Sequence, residues 1–463
     1  MNSPLVLVLA AGEGTRMRSS LPKMLHPVCG RPMVAWPIAA AREAGAGRVV
    51  AIVSPRHDLS PGLPEGVETV VQPEPDGTGG ALRAALEPIR EAETVVVLSG
   101  DHPLLSGETI SGLLSAHRDT GAAATMLTIE LDEPGSYGRV VRDAAGEFER
   151  IVEAKGSGDA RAEELAVREV NAGTYVFDAA PLAAALTELS NDNAQSEYYL
   201  TDVFSILRAG GRKIATRAAD DDGATMGVND RVQLAEVEAE ARRRILEQHM
   251  VAGVTVVDPR STWIDAGVEI AADARVEPGT TLRGATVVGA RSVVGPLTTL
   301  IDTRLGEEVT VPHSYLVECE VLDGASVGPF AYLRPGARLE RGAKAGSFVE
   351  IKNSTLGEGA KAPHLSYVGD TDVGAGANLG AGTITANYDG FRKHRTVIGD
   401  DARIGVDTML IAPVEVGDGA YTGAGAVIKR DVPDGALAVS DNDQRNIEGY
   451  AERKAAENPE EDS

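Results

Sequence analysis

Residues 398–428 read IGDDARIGVDTMLIAPVEVGDGAYTGAGAVI. An aliphatic residue or threonine recurs at every sixth position of this stretch, and glycine often follows it. The same period runs through residues 321–351 and 356–368. A fixed short period of this kind indicates a solenoid of stacked coils. The periodic positions are Val321, Val327, Leu333, Leu339, Ala345, Ile351, Leu356, Ala362, Val368, Ile398, Ile404, Leu410, Val416, Thr422 and Ile428.

Each hexapeptide is expected to form one short strand and one tight turn, with the periodic residue pointing inward. The turn favours Gly, Asn or Asp, because its backbone approaches or enters positive φ. Three hexapeptides would close one triangular coil around a continuous aliphatic core. The pattern resembles the left-handed parallel β-helix of hexapeptide-repeat acyltransferases, and the alternative is a glycine-rich β domain without coils. Small residues that would pack beside the inward positions are Ala325, Ala337, Ala343 and Ala360.

The period fails between Thr385 and Ile398, which predicts a loop extruded from the solenoid. Loops on a rigid scaffold are where function tends to be located. After Ile428 we expect the repeat to end.

The first half of the chain alternates compact apolar runs with segments of helical spacing. The runs are Leu5–Ala11, Val49–Val53 and Val95–Leu98, and the helical segments include Met33–Ala44 and Gly80–Leu86. This alternation predicts an open, mostly parallel Rossmann-like sheet with helices on both faces. Ligands of such sheets bind outside the carboxyl ends of the strands.

The stretch Arg231–Met250 contains no Gly or Pro and predicts one connecting helix, with Asn229 or Asp230 near its N-cap. The sequence therefore predicts an α/β fold joined to a β-solenoid. The expected limits are 1–228 for the N-terminal domain, 229–250 for the linker helix, 251–440 for the β-helix, and 441–463 for a partly disordered tail.

The composition narrows the class of protein. The chain carries 44 Lys and Arg against 69 Asp and Glu, a formal net charge of −25, without a long basic run. Nucleic-acid binding is therefore not expected. The two cysteines, Cys29 and Cys319, fit a reducing cytosol. The apolar start lacks a basic region and is interpreted as a buried strand, and no run is long enough to span a membrane. We expect a cytoplasmic protein.

The first strand leads into Leu9-Ala10-Ala11-Gly12-Glu13-Gly14-Thr15-Arg16-Met17, and Leu21-Pro22-Lys23 follows shortly after. Glycines there let backbone N–H groups approach a phosphate. The stretch is neither a dinucleotide fingerprint nor a Walker loop. It resembles the signature of sugar-1-phosphate nucleotidylyltransferases. That resemblance assigns Arg16 to the outer phosphates of the nucleotide and Lys23 to the phosphates at the reacting centre; the alternative is two surface cations at helix ends.

Other segments resemble the same family. An Asp at a strand end can bind a hard cation, and the resemblance implies that Asp101 and Asn229, in Gly227-Val228-Asn229, hold Mg²⁺; the alternative for Asp101 is a helix cap. The nucleotide-sugar site implied by the resemblance comprises Leu9, Ala10, Ala11, Gly12, Lys23, Gln72, Gly77, Thr78, Ser99, Gly100, Asp101, Gly138, Glu153, Asn171 and Asn229. Gln72, Gly77 and Thr78 would read uracil, and Gly138, Glu153 and Asn171 would bind the sugar.

His364 interrupts the aliphatic pattern of the solenoid in Pro363-His364-Leu365-Ser366-Tyr367. A lone histidine is usually structural, but acetyl transfer to a sugar amine needs a general base, and histidine suits that role. The resemblance to hexapeptide acyltransferases implies an acceptor site at Arg334, Lys352, Tyr367 and Asn378. It further implies an acetyl-CoA site at Ala381, Asn387, Tyr388, Val406, Ala424 and Arg445.

Both halves in this order resemble the bifunctional N-acetylglucosamine-1-phosphate uridyltransferase/glucosamine-1-phosphate acetyltransferase family, over roughly residues 5 to 440. The resemblance implies glucosamine-1-phosphate, acetyl-CoA and UTP as substrates, Mg²⁺, and a homotrimer. Two positions depart from the family: Val406 stands where Ser is common, and Arg445 would replace a basic residue near Asp441. The alternatives are a nucleotidylyltransferase whose β-helix only regulates or oligomerises, and a non-enzymatic scaffold.

Overall fold

A computed structural model describes residues 3–135, 137–152, 161–193, 195–221, 223, 226–440 and 446–457. The chain separates into two compact units, one of residues 1–247 with 264–267 and one of residues 248–263 with 268–463. The domain limits expected from the sequence stay predictions.

The N-terminal unit is built on a central sheet with the strand order β11-β7-β10-β6-β1-β4-β5. The strands are β1 (Leu5–Leu9), β2 (Pro27–Val28), β3 (Arg31–Pro32), β4 (Arg48–Val53), β5 (Glu68–Val71), β6 (Thr94–Ser99), β7 (Ala124–Glu130), β8 (Arg139–Arg142), β9 (Phe148–Val152), β10 (Glu169–Asp178) and β11 (Ile214–Ala218). Strand β1 pairs in parallel with β4 and β6, whereas β10 runs antiparallel to β6 and β7. Four of the six pairings along this order are parallel, and β8 and β9 extend the sheet from β10 by antiparallel pairings, so the sheet is mixed.

Strand β1 is buried on both faces, as central strands of covered parallel sheets are. Leu5 and Leu7 pack into one apolar cluster, and Val6 and Val8 pack into another on the opposite face. The helices are α1 (Ala35–Glu43), α2 (Thr78–Ala84), α3 (Leu86–Glu91), α4 (Gly107–Thr120), α5 (Ala162–Leu165), α6 (Ala179–Glu188), α7 (Asp202–Ala209), α8 (Arg231–Val251) and α9 (Tyr450–Glu457), with 3₁₀ turns at Thr15–Met17, Lys23–Leu25 and Ser60–Gly62.

Helix α8 begins where the composition changes. The Asp230 carboxylate accepts hydrogen bonds from the N–H groups of Val232 and Gln233, each at 2.9 Å. Asp230, one of the two residues considered, is therefore the N-cap. None of the helices in the described ranges is both long and apolar enough to cross a lipid bilayer.

The C-terminal unit is a three-sided prism, and each of its faces is a parallel β-sheet. The first face contains Thr255–Val256, Arg275–Val276, Val293–Val294, Thr310–Val311, Ser326–Val327, Lys344–Ser347, Lys361–His364, Asn378–Leu379, Arg403–Ile404, Tyr421–Thr422 and Leu437–Ala438. The second contains Trp263–Ile264, Thr281–Arg283, Thr299–Ile301, Tyr315–Val317, Tyr332–Leu333, Glu350–Lys352, Tyr367–Gly369, Ile384–Ala386, Met409–Ile411 and Val427–Ile428. The third contains Glu269–Ile270, Val287–Val288, Arg304–Leu305, Glu320–Val321, Arg338–Leu339, Thr355–Leu356, Thr371–Val373, Thr396–Ile398 and Val414–Val416.

The hexad positions form the core of this prism, as predicted. Each periodic residue quoted above is buried, from 0% exposed at Leu333 to 5% at Ile428. A further strand, Leu437–Ala438, follows the last periodic residue and pairs with Tyr421–Thr422. That last strand stacks on the coil below without a hexad of its own, so the period does not reveal it.

One corner of the prism, between the first and second faces, departs from the predicted turn chemistry. Leu297, His313, Phe330, Phe348 and Leu365 have positive φ there, between 47° and 60°. For residues with a Cβ this conformation costs roughly 1–2 kcal/mol each. The three aromatic rings among them contact one another along the corner: the His313 and Phe330 rings are 5.4 Å apart, and those of Phe330 and Phe348 are 5.3 Å apart. Gly, Asn or Asp was therefore the wrong expectation for these turns.

Candidate functional site

Four predicted residues meet at the carboxyl ends of β1 and β6. The Lys23 Nζ atom lies 2.6 Å from Asp101 Oδ2 and 3.5 Å from Asn229 Oδ1. The Arg16 guanidinium donates to the same Asn229 oxygen at 2.7 Å. Residues more than 200 positions apart thus share one cluster. Their roles toward a ligand stay predictions.

The backbone brings these groups together. The Gly100 N–H donates to Leu9 O at 2.9 Å, which joins the ends of β1 and β6. The Val228 N–H donates to Asp101 O at 3.0 Å and holds the 227–229 segment against the strand end. At Gly14, where φ is 63°, a Cβ would lie 2.5 Å from Lys23 Cβ. Glycine there leaves room for the lysine.

Charge balance keeps Asp101 ionised. Burial by itself raises the pKa of the Asp101 carboxyl, but the charges of His102 and Lys23 and the Lys23 hydrogen bond outweigh burial, so the pKa lies below its ordinary value. Burial also lowers the pKa of His102. Lys23, only 8% exposed, is the direct ion-pair partner of Asp101, at 2.6 Å.

The donor set fits a hard divalent cation. Within the described ranges, no group of three or more His, Cys, Asp or Glu side chains converges as a metal cage. Mg²⁺ in nucleotide enzymes is commonly held by one or two protein oxygens together with substrate phosphates. Asp101 and Asn229 provide two such oxygens, and both already bind a cation, the Lys23 ammonium.

Of the predicted uracil residues, Gln72 lines a small cleft together with Ala11 and Glu13 of the loop after β1. The cleft is lined by Ala11, Glu13, Ser54, Pro55, Arg56, Gln72, Pro73, Glu74 and Pro75. The buried Gln72 side chain donates to Asp76 Oδ1 at 2.8 Å and to Gly77 O at 3.0 Å. The Thr78 hydroxyl accepts a hydrogen bond from Leu200 N at 3.2 Å. Leu9, Ala10, Ala11 and Gly12 form the adjoining end of β1 and its loop.

Of the predicted sugar residues, Asn171 lies on β10, which pairs with β6, and Gly138 directly precedes β8. The Asn171 N–H donates to Gly138 O at 2.9 Å, and the Asn171 amide donates to the Tyr175 hydroxyl at 2.7 Å. A Cβ on Gly173 would lie 3.5 Å from Ser99 Oγ, which places this turn beside the end of β6. Two predicted residues, Glu153 and Arg445, lie outside the described residues.

On the prism, the predicted base and three of the predicted acetyl-CoA residues lie at equivalent positions of successive coils. Each N–H that follows such a residue donates to the equivalent carbonyl one coil earlier: Gly382 to His364 at 3.3 Å, Asp407 to Ala381 at 2.7 Å, and Gly425 to Val406 at 2.8 Å. His364, Ala381, Val406 and Ala424 therefore stand in successive coils at the corner between the first and second faces. His364 is exposed, so its imidazole is accessible from outside the prism.

Most of the predicted acceptor residues lie on the second face. The pairing of Leu333 with Ile351 puts Arg334 and Lys352 in equivalent positions of neighbouring coils. Lys352 pairs with Gly369, and a Cβ on Gly369 would lie 2.4 Å from the Tyr367 hydroxyl oxygen. The Tyr367 ring thus lies over a bare glycine next to Lys352.

Asp370 organises this patch and was not predicted from the sequence. It accepts hydrogen bonds from Asn353 at 2.7 Å, from Asn387, and from Lys352 at 3.3 Å. Burial raises the pKa of its carboxyl, but these hydrogen bonds and the Lys352 charge outweigh burial, so the pKa lies below its ordinary value. The signal in the sequence was slight, since an Asp after Gly369 fits any solenoid turn.

Lys393 also belongs to this patch and was also missed. The neighbouring Lys352 ammonium, together with burial and Arg334, lowers the pKa of Lys393, and Asp370 opposes that shift. Arg334, Lys352 and Lys393 thus lie together with two carboxylates, since Arg334 pairs with Glu350 at 2.8 Å and Lys352 with Asp370 at 3.3 Å. The location of Lys393 in the extruded loop was the available clue.

The remaining predicted residues separate into two places. Asn387 is buried at the base of the extruded loop, while Tyr388 is 62% exposed. Asn378 lies on the first face, where it pairs with Lys361 and Arg403. The corner that carries His364 separates Asn378 from Lys352 and Tyr367. Within one chain, the predicted acceptor residues therefore lie on two different faces of the prism.

An α/β sheet with a cation-rich cluster at its strand ends, followed by a hexapeptide solenoid with an exposed histidine, defines a nucleotidyltransferase domain fused to a hexapeptide transferase. Family comparisons agree. Residues 6–193 match the MobA-like NTP transferase domain, and residues 395–430 match the bacterial transferase hexapeptide (six repeats). The predicted fold class, with a left-handed parallel β-helix, is confirmed.

Similarity to individual proteins extends along nearly the whole chain. The bifunctional protein GlmU of Mycobacterium bovis (strain BCG / Pasteur 1173P2) is 47% identical over 464 residues, covering 98% of this chain and 93% of that protein. Those of Kineococcus radiotolerans and Streptomyces avermitilis are each 49% identical, over 98% and 97% of this chain and 93% and 94% of their own lengths. The chain belongs to the GlmU family of bifunctional enzymes, which confirms the family expected from its sequence.

Proposed function

We propose that this enzyme makes UDP-N-acetylglucosamine in two steps. The prism acetylates glucosamine-1-phosphate with acetyl-CoA, and the N-terminal unit then transfers uridylyl from UTP to the product and releases pyrophosphate. The observation that carries the proposal is the convergence of Arg16, Lys23, Asp101 and Asn229 at the ends of β1 and β6.

Uridylyl transfer needs positioning and charge neutralisation rather than a protein nucleophile. A phosphate oxygen of N-acetylglucosamine-1-phosphate attacks the α-phosphorus of UTP, and pyrophosphate leaves. Lys23 and Arg16 neutralise charge that develops on the phosphates. Asp101 and Asn229 would hold Mg²⁺, which supplies further charge neutralisation when bound.

The same unit positions the two substrates. Gln72 reads the uracil edge, with Gly77 and Thr78 beside it. Gly138 and Asn171 orient the sugar, and the 9–12 backbone presents N–H groups to the phosphates. Ser99 and Gly100 lie at the carboxyl end of β6, next to this loop.

In acetyl transfer, His364 is the general base. The sugar nitrogen forms a bond to the acetyl carbon as the thioester C–S bond breaks. His364 takes the amine proton and returns it to the coenzyme A sulfur. Arg334, Lys352 and Lys393 bind the sugar phosphate, and Tyr367 bounds the sugar ring. The coenzyme lies along Ala381, Val406 and Ala424, with Asn387 and Tyr388 nearby.

The acetyl-transfer site is shared between copies in a homotrimer. Asn378 lies on a different face from Lys352 and Tyr367, so an acceptor bound to all three needs a face of a second chain. Exposed apolar side chains run along the same corner: Leu297 is 66% exposed, Phe330 55%, Phe348 59% and Leu365 63%. Burying this stripe would also offset its backbone strain. Light scattering should give three times the chain mass of 48.3 kDa, and a monomer that acetylates would contradict the shared site.

We further propose a cytoplasmic location, since the implied substrates are intracellular phosphates and thioesters. The alternative, a nucleotidylyltransferase with a merely structural prism, is tested by separate variants. His364→Ala should abolish coenzyme A release and keep pyrophosphate release from UTP and N-acetylglucosamine-1-phosphate. Asp101→Ala should do the reverse. If wild-type protein released no coenzyme A, the alternative would stand.

A further inference from the structure

An ion pair lies in the cleft that contains Gln72. The Arg56 guanidinium binds the Glu13 carboxylate, and both residues line the cleft that contains Gln72. Glu13 stands between Gly12 and Gly14 in the loop after β1, and Arg56 follows the carboxyl end of β4. The pair therefore joins two loops at the edge of the sheet where ligands bind.

A carboxylate at this point is unfavourable for the bound nucleotide. The loop after β1 presents N–H groups to phosphates, and a negative charge in the same loop repels a triphosphate. Arg56 and Glu13 are 58% and 38% exposed, so their pairing adds little to stability. Because the two residues lie in the cleft, we expect the pair to affect nucleotide binding rather than stability.

We propose that Arg56 is a nucleotide-positioning residue: it cancels the charge of Glu13 and presents its guanidinium to the triphosphate of UTP. Guanidinium groups bind phosphate oxygens in a bidentate manner. The inference rests on the proposed uridylyl transfer and adds a residue to it. It concerns the binding of UTP rather than the chemical step.

The experiment measures KM for UTP and kcat of uridylyl transfer for four variants. Arg56→Ala should raise KM for UTP about tenfold, the factor for one uncompensated charge a few ångströms from phosphate in a solvated cleft, with kcat within about threefold. Glu13→Gln in the Arg56→Ala background should recover at least about threefold of that loss. Glu13→Gln alone should lower KM. The Arg56→Ala effect should shrink at 0.5 M salt, where exposed charges are screened.

Arg48 supplies the matched control. It lies at the opposite end of β4 and pairs with Glu68 and Glu91 at 2.7 and 2.8 Å. Arg48→Ala should leave KM for UTP unchanged, and an equal rise there would overturn the proposal.

The remaining outcomes separate the two levels of inference. Wild-type protein without uridylyl transfer would overturn the proposed function itself. With an active wild type, an Arg56→Ala KM within twofold of wild type would overturn the role of Arg56. If KM for UTP is as high in the Arg56→Ala/Glu13→Gln double variant as in Arg56→Ala, the charge compensation is overturned. Both variants lack the arginine, so they differ only in the charge at position 13.

Discussion

Within the N-terminal unit, the Lys23→Met substitution is the sharpest test of the proposed phosphate-binding cluster of Arg16, Lys23, Asp101 and Asn229. Methionine keeps most of the volume of the side chain and removes only the ammonium. Lys23 is 8% exposed and lies 2.6 Å from Asp101, so its charge acts in a poorly solvated site. Arg16 cannot replace it, because its guanidinium is already bound to Asn229 at 2.7 Å. Loss of one preorganised donor of this kind costs about 10²–10³ in kcat, or roughly 3–4 kcal/mol.

The assay is pyrophosphate release from UTP and N-acetylglucosamine-1-phosphate, with thermal unfolding in parallel. Lys23→Met should lower kcat by that factor and leave coenzyme A release unchanged. It also leaves a partly buried Asp101 without its partner, so the free energy of unfolding should fall by about 1–3 kcal/mol. Lys213→Met is the matched control, since Lys213 binds Thr120 O at 3.0 Å beside the edge strand β11. A loss of less than about tenfold would refute the assignment of Lys23.

Three further predictions concern the acceptor site of the prism, its aliphatic core and the two buried cysteines. Asp370→Asn should lower KM for glucosamine-1-phosphate by about threefold, because it removes a carboxylate that competes with the sugar phosphate for Lys352, while KM for UTP stays constant; a raised KM would contradict this account. Ile351→Ala should destabilise the prism by about 2–5 kcal/mol, since Ile351 is 0% exposed, and chemical denaturation would measure it. Burial raises the pKa of Cys29 and Cys319 to about 12, so neither thiol should react with a disulfide reagent at pH 8 before unfolding; rapid reaction of folded protein would contradict their burial.

The sequence was most informative where a local rule covers many residues. A period of six determines which side chains face the axis of a solenoid, so the inward position of Ile351 followed without any knowledge of distant contacts. The juxtaposition of Asp101 and Asn229 was expected from the resemblance to nucleotidylyltransferases, since only Asp101 follows an apolar run that predicts a strand of the sheet.

The sequence was least informative where tertiary contacts override local preference. Phe330 and Phe348 adopt positive φ because their rings stack along the corner, and no propensity predicts that. Asp370 and Lys393 become important only because the coils and the extruded loop bring them to Lys352. The period of six does not indicate the last strand, Leu437–Ala438, because it stacks on a coil below without a hexad of its own.

The most direct measurement follows the sugar through both reactions in one tube. Purified protein receives glucosamine-1-phosphate, acetyl-CoA, UTP and Mg²⁺, and coenzyme A, N-acetylglucosamine-1-phosphate and nucleotide sugar are quantified over time. We predict coenzyme A release first, a transient N-acetylated sugar phosphate, and then UDP-N-acetylglucosamine with one pyrophosphate for each coenzyme A. Nucleotide sugar that still carries a free amine, or acetylated sugar phosphate that accumulates without reacting with UTP, would contradict two consecutive reactions on the same sugar.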